Sequence, residues 1–148
     1  MKSKVSLVLI LIMLFGVSSA FPRNNIDRFT KNLLNDFKSN KYASFYEKMS
    51  EETKKLMSYE DMKKLFDLEK DVLGSLRKFE KLESLEQVVK EKTVTTLRYT
   101  AKFSKTGALI ILVVVEENEK LKCHKFYVDS LIFSKPEIQE QFKALKDE

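Results

Sequence analysis

The chain of 148 residues predicts an α+β domain, with helices first, a four-stranded antiparallel meander second and one closing helix last. Three observations lead there. Apolar residues recur at helical spacing from Ile26 to Leu73, alternation of apolar with polar residues begins near Thr93, and a helix-start signal precedes a last periodic stretch from Ser134. Runs of helices followed by runs of strands mark α+β rather than alternating α/β architecture.

From Asn25, the residues Ile26, Phe29, Leu33, Leu34 and Phe37 fall along one stripe of a helix, leaving Asp27, Arg28, Lys31, Asn35 and Lys38 outside it. Ser39-Asn40 interrupts the pattern. Tyr42, Phe45, Tyr46 and Met49 then repeat it over a shorter helix ending near Ser50, and Ser50 can cap a brief third piece carrying Leu56 and Met57. Ser58 followed by Asp61 forms a variant capping box for a helix with Met62, Leu65, Phe66, Val72 and Leu73 on its apolar face. Gly74 is placed to end it in a left-handed conformation.

Ser75 to Val89 is ambiguous in period, because Leu76, Phe79, Leu82 and Leu85 are spaced by three. It is assigned as an edge strand, since Gly74 stops the helix and the following hairpins need a fourth strand to widen the sheet. In the stretch from Thr93 to Phe103, Leu97, Tyr99, Ala101 and Phe103 alternate with Arg98, Thr100 and Lys102, as in a strand with one wet face. A turn at Ser104–Gly107 leads to ALIILVVV (108–115), whose two faces both suit burial in a central strand. Glu117-Asn118-Glu119-Lys120 makes the next turn, and a last strand runs from Leu121 to about Ile132. Ser134-Lys135-Pro136-Glu137 combines a cap, a proline in the first turn and an acidic residue, opening a helix over about 134–147 with Ile138, Phe142 and Leu145.

Ahead of this domain, residues 1–20 read as a secretory signal peptide. Lys2 and Lys4 precede a predominantly apolar run of thirteen residues from Val5 to Val17, then Ser18-Ser19-Ala20 offers a cleavage site. Thirteen residues fall short of the roughly 20 that cross a hydrocarbon core. The mature chain, 21–148, is expected to be a single domain, exported and then secreted or periplasmic, without a stable membrane span and without a lipid anchor on an N-terminal cysteine.

Without Lys2 and Lys4, the 27 basic residues fall to 25 against 22 acidic ones, and both signs are interleaved, as in KLESLEQVVKEK. A solvated surface follows, and nucleic acid is not an expected partner. One cysteine excludes an intramolecular disulfide, so burial of the ten Phe of the mature chain and many aliphatic residues must hold the fold. Only three glycines are present and none cluster, which removes a phosphate-cradling loop.

Cys123 and His124 are the sole cysteine and histidine and stand side by side. Successive strand residues face opposite ways, so unless a bulge intervenes Leu121, Cys123 and Tyr127 share one face and His124, Phe126 and Val128 the other. A thiolate nucleophile then lacks a base within reach, and one Cys with one His makes no zinc site. No cofactor or metal is expected.

The strings NKYASFY (40–46), SEETKKL (50–56), SYEDMKKL (58–65), Leu73-Gly74 and Phe126-Tyr127-Val128 resemble the nuclear transport factor 2-like superfamily, nearest to its small exported bacterial domains. That resemblance covers about Ile26 to Asp129. It implies a strongly curved antiparallel sheet wrapped around N-terminal helices to enclose an apolar pocket, and it leaves function to be argued from the site. Pocket candidates are Phe37, Phe45, Tyr46, Phe66, Tyr99, His124 and Tyr127.

The expected function is non-enzymatic binding of a small apolar ligand or a protein partner in that pocket. One alternative is a small isomerase- or hydrolase-like enzyme using Tyr99, Asp129 or His124. Another is a structural homodimer formed through the sheet face.

Overall fold

A computed structural model describes residues 22–146. The expected signal peptide lies outside the described residues. Among these, four helices precede the sheet: α1 (Arg23–Lys38), α2 (Tyr42–Glu47), α3 (Glu51–Leu56) and α4 (Tyr59–Leu73). Strands β1 (Leu76–Val89), β2 (Lys92–Phe103), β3 (Gly107–Glu117) and β4 (Lys120–Asp129) follow, then a 3₁₀ turn at Leu131–Ser134 and helix α5 (Pro136–Lys146). The α+β class and the order of elements agree with the sequence. No helix among the described residues is long and apolar enough to cross a membrane.

Local chemistry sets the helix boundaries. Ser50 Oγ accepts from Thr53 N at the start of α3, and Ser58 Oγ accepts from Asp61 N at the start of α4. The Ser58 hydroxyl also donates to Asp61 Oδ2 at 2.6 Å, so the acidic side chain bonds the capping hydroxyl instead of reaching back to the backbone. Asn40 closes α1 with φ 57°, and Gly74 closes α4 with φ 83°. At the other end of the chain, Ser134 does not cap α5, because it belongs to the 3₁₀ turn and its hydroxyl donates to Leu131 O.

The curved sheet has the order β1-β2-β3-β4, with every neighbouring pair antiparallel. Leu97, Tyr99, Ala101, Phe103, Ile110, Leu112, Val114 and Cys123 are buried on its concave face against Ile26, Leu33, Leu34 and Phe37 of α1, Phe45 of α2, and Met62, Phe66 and Leu73 of α4. β3 is central, as expected, yet only one of its faces is fully covered. Leu109, Ile111, Val113 and Val115 lie on the convex side and stay half-buried.

β1 explains its own ambiguous period. Its pairing with β2 shifts register between Leu76 and Lys78 and again between Lys81 and Glu83, so Arg77 and Leu82 are extra residues. The first bulge lengthens the repeat between Leu76 and Phe79 from two to three, whereas Leu82 is itself the second extra residue and Leu85, opposite Thr96, lies on the other face. Beyond Phe79 the strand leaves the core, and Leu82, Leu85, Val88 and Val89 are exposed.

The last strand is shorter than expected. It stops at Asp129 because Ser130 turns the chain, its hydroxyl donating to Gly107 O at 2.9 Å, and the 3₁₀ turn follows. That turn leads α5 back onto α4, with Ile132, Phe133, Ile138 and Phe142 packed on the core.

Candidate functional site

A cleft of about 420 Å³ opens between α3, the first half of α4 and β4. Its position follows from how the segment between α2 and α3 crosses the free edge of β4. Cys123 N donates to Lys48 O at 2.8 Å and Ser50 N donates to Cys123 O at 2.9 Å, so Met49 pairs with Cys123 as a one-residue parallel extension of the sheet. The chain then enters α3 and leaves a gap between that short helix and α4.

Beside this junction β4 carries a bulge. Cys123 pairs with Val114 and Lys125 with Val113, which leaves His124 without a partner on β3. The alternation expected for this strand is therefore corrected. The extra residue reverses the phase, so Cys123 shares the concave face with Phe126 and Val128, opposite the buried Val114, Leu112 and Ile110, while Tyr127 goes with the convex side.

The bulge does not make a catalytic pair. Cys123 Sγ donates to Lys125 O at 3.3 Å, and burial pushes the thiol up to about 12. His124 turns the other way, its Nδ1 lying 3.1 Å from Ser50 Oγ and 4.0 Å from Glu52 Oε2. Among the described residues no group of three His, Cys, Asp or Glu is placed to hold a metal ion.

The walls of the cleft are apolar. Leu56 and Met57 come from the end of α3, Met62, Leu65 and Phe66 from α4, and Phe126 from β4. Met49 completes the floor. Met49, Met57 and Met62 are all the methionines of the described residues, and all three line this one cleft. Methionine is flexible and polarisable, which suits a surface that must adapt to an apolar guest. Polar groups are few, namely Glu52 and Thr53 on α3 and His124, Lys125 and Tyr127 on β4.

Of the seven residues proposed from sequence, the cleft brings together Phe66, His124 and Tyr127, the last with half its surface exposed. The other four lie elsewhere. Phe37, Phe45, Phe66 and Phe126 stack in one cluster with ring centroids 5.0–6.3 Å apart, so Phe37 and Phe45 fill the interior and do not line this cleft. Tyr46 packs beside Tyr59 and donates its hydroxyl to Met57 O at 2.9 Å, bracing the wall from behind. Tyr99 is buried, with its hydroxyl 2.7 Å from Thr30 Oγ1. Because Thr30 already donates to Asp27 O, Tyr99 is the donor of that bond, and its hydroxyl is engaged within the core. Asp129 is exposed at the end of β4, so Tyr99, Asp129 and His124 are not assembled into one site.

The residues missed by sequence reasoning are Met49, Met57, Met62, Leu56 and Leu65. A signal existed, since every methionine after Met13 falls within fourteen residues, from Met49 to Met62. Comparison with family models, with curated proteins and with solved structures finds no match.

Proposed function

We propose that the protein is an exported binding protein that takes a small apolar ligand in the cleft between α3, α4 and β4. The carrying observation is the gathering of all three described methionines on one open apolar cleft. Its volume falls within the usual range of small-molecule sites, about 300–1,000 Å³. Leu56 at the mouth is 86% exposed, an apolar side chain that a guest would cover. The first twenty residues support export, having the charged start, apolar middle and small-residue end of a secretory signal. The order of helices, antiparallel meander and closing helix supports placing the chain with the nuclear transport factor 2-like superfamily.

Leu65 is the wall residue to change, because it is only half-buried and a charge there faces the cleft without entering the core. Leu65→Glu is expected to weaken binding of an environment-sensitive apolar dye at least about tenfold while the circular dichroism spectrum is preserved. Undiminished dye binding by a folded Leu65→Glu protein overturns the reading.

A further inference from the structure

We propose that His124 selects the ligand: its Nε2 accepts a hydrogen bond from a hydroxyl, so the cleft takes an apolar molecule with a hydroxyl head. This rests on the ligand-binding reading above and narrows it.

The protons of one small network fix the histidine tautomer. Thr53 Oγ1 donates to His124 O at 2.6 Å, which uses the only hydroxyl proton Thr53 has. Ser50 Oγ lies 2.8 Å from that same Thr53 Oγ1, so the proton between the two oxygens must come from Ser50. With its proton committed there, Ser50 Oγ can only accept, and it accepts from Thr53 N at 3.3 Å and from His124 Nδ1 at 3.1 Å. The proton of neutral His124 therefore sits on Nδ1. The opposite tautomer would leave two hydroxyl oxygens 2.8 Å apart with no proton between them.

A neutral imidazole protonated on Nδ1 carries a lone pair on Nε2. Nε2 has no hydrogen-bond partner among the described residues, and the side chain borders the cleft. Groups able to change this are limited. From α3, Glu52 faces Nδ1; from β4 come Lys122, which donates to Glu47 O, and the outward-facing Lys125 and Tyr127; α4 presents only Met62, Leu65 and Phe66 at the cleft. An acceptor on the side of the cleft that carries Glu52, Thr53, Lys125 and Tyr127, facing a wall of Met, Leu and Phe, rewards a guest that brings one donor on an apolar body.

The test compares decanol with its methyl ether, which has the same chain and no hydroxyl proton, by titration calorimetry. Decanol is expected to bind about fivefold tighter than the ether. His124→Phe, which keeps a ring and loses the acceptor, is expected to equalise the two ligands. Equal affinities of the unaltered protein, or a preference that persists in a folded His124→Phe protein, overturn the assignment while leaving the cleft a ligand site. Failure of both molecules to bind at all overturns the cleft reading itself.

Discussion

Cys123 is fully buried, and its Sγ–H donates to a carbonyl two residues along its own strand. With the thiol held up to about 12, thiolate is scarce at neutral pH. The native protein is therefore expected to resist alkylation by iodoacetamide over hours at about pH 8 and to react fully once denatured. Mass spectrometry of the two samples checks this, and rapid modification of native protein would mean that the β4 edge opens. Glu69 is the other buried group with a consequence. It sits in the apolar stripe of α4 with Met62, Phe66 and Leu73, its Oε2 has no hydrogen-bond partner, and burial raises its pKa from 4.5 to about 8. Between those values the folded state binds more protons than the unfolded one, so stability falls as pH rises through that window. The loss by neutrality is on the order of 3 kcal/mol, and Glu69→Gln should remove most of that slope in urea unfolding measured at about pH 5 and 7.5. An unchanged slope would place the carboxyl in contact with solvent. Neither the buried carboxyl nor the histidine bulge was legible in sequence. Glu69 looks like any surface residue of a charged helix until α4 is rotated onto the core. The bulge depends on the Lys48–Ser50 segment bonding across β4, a contact between residues more than seventy apart.

Two of the three helix starts expected from a capping serine stand where they were expected, and the third fails because Ser134 belongs to the 3₁₀ turn. Ser50 and Ser58 cap the helices they were expected to cap, since capping needs only a side-chain oxygen and an amide three residues on. Gly74 ends α4 at positive φ as expected, but not in the left-handed helical conformation. At φ 83° and ψ −167° it occupies a region open essentially to glycine alone, and an added Cβ would stand 1.9 Å from Ser104 Oγ. Ser104 Oγ is itself committed to Ser75 N at 3.0 Å, so it cannot move away freely. Gly74→Ala is expected to cost about 2 kcal/mol in chemical denaturation, against the stabilisation that alanine gives where the backbone permits it. A neutral outcome would show that the α4–β1 junction relaxes. Periodicity was a weaker guide than capping, because a bulge in β1 sets Leu76 and Phe79 three apart on one face and one in β4 exchanges the faces. A bulge is set by what crosses the strand, and that is not written in the strand.

At the scale of the molecule, the family resemblance implies a pocket between the helices and the concave sheet, and the cleft holds three of the seven residues expected to line it, Phe66, His124 and Tyr127. The aromatic side chains that seemed free to line it pack on one another, with Phe66 and Phe126 touching both Phe37 and Phe45. An interior of that density leaves no central void. The cavity survives at the side, where the short α3 stands off from α4 and methionines border the gap. Spacing along the chain could reveal which residues are apolar, but not which apolar surfaces fail to meet. Whether that cleft accepts a guest is therefore the central question. Protein carrying methyl-labelled methionine, titrated with decanol and followed by NMR, decides it most directly. Saturable shifts of the Met49, Met57 and Met62 methyl signals with a common dissociation constant are expected. Unmoved signals for these three methionines at saturating decanol would contradict the ligand-binding reading.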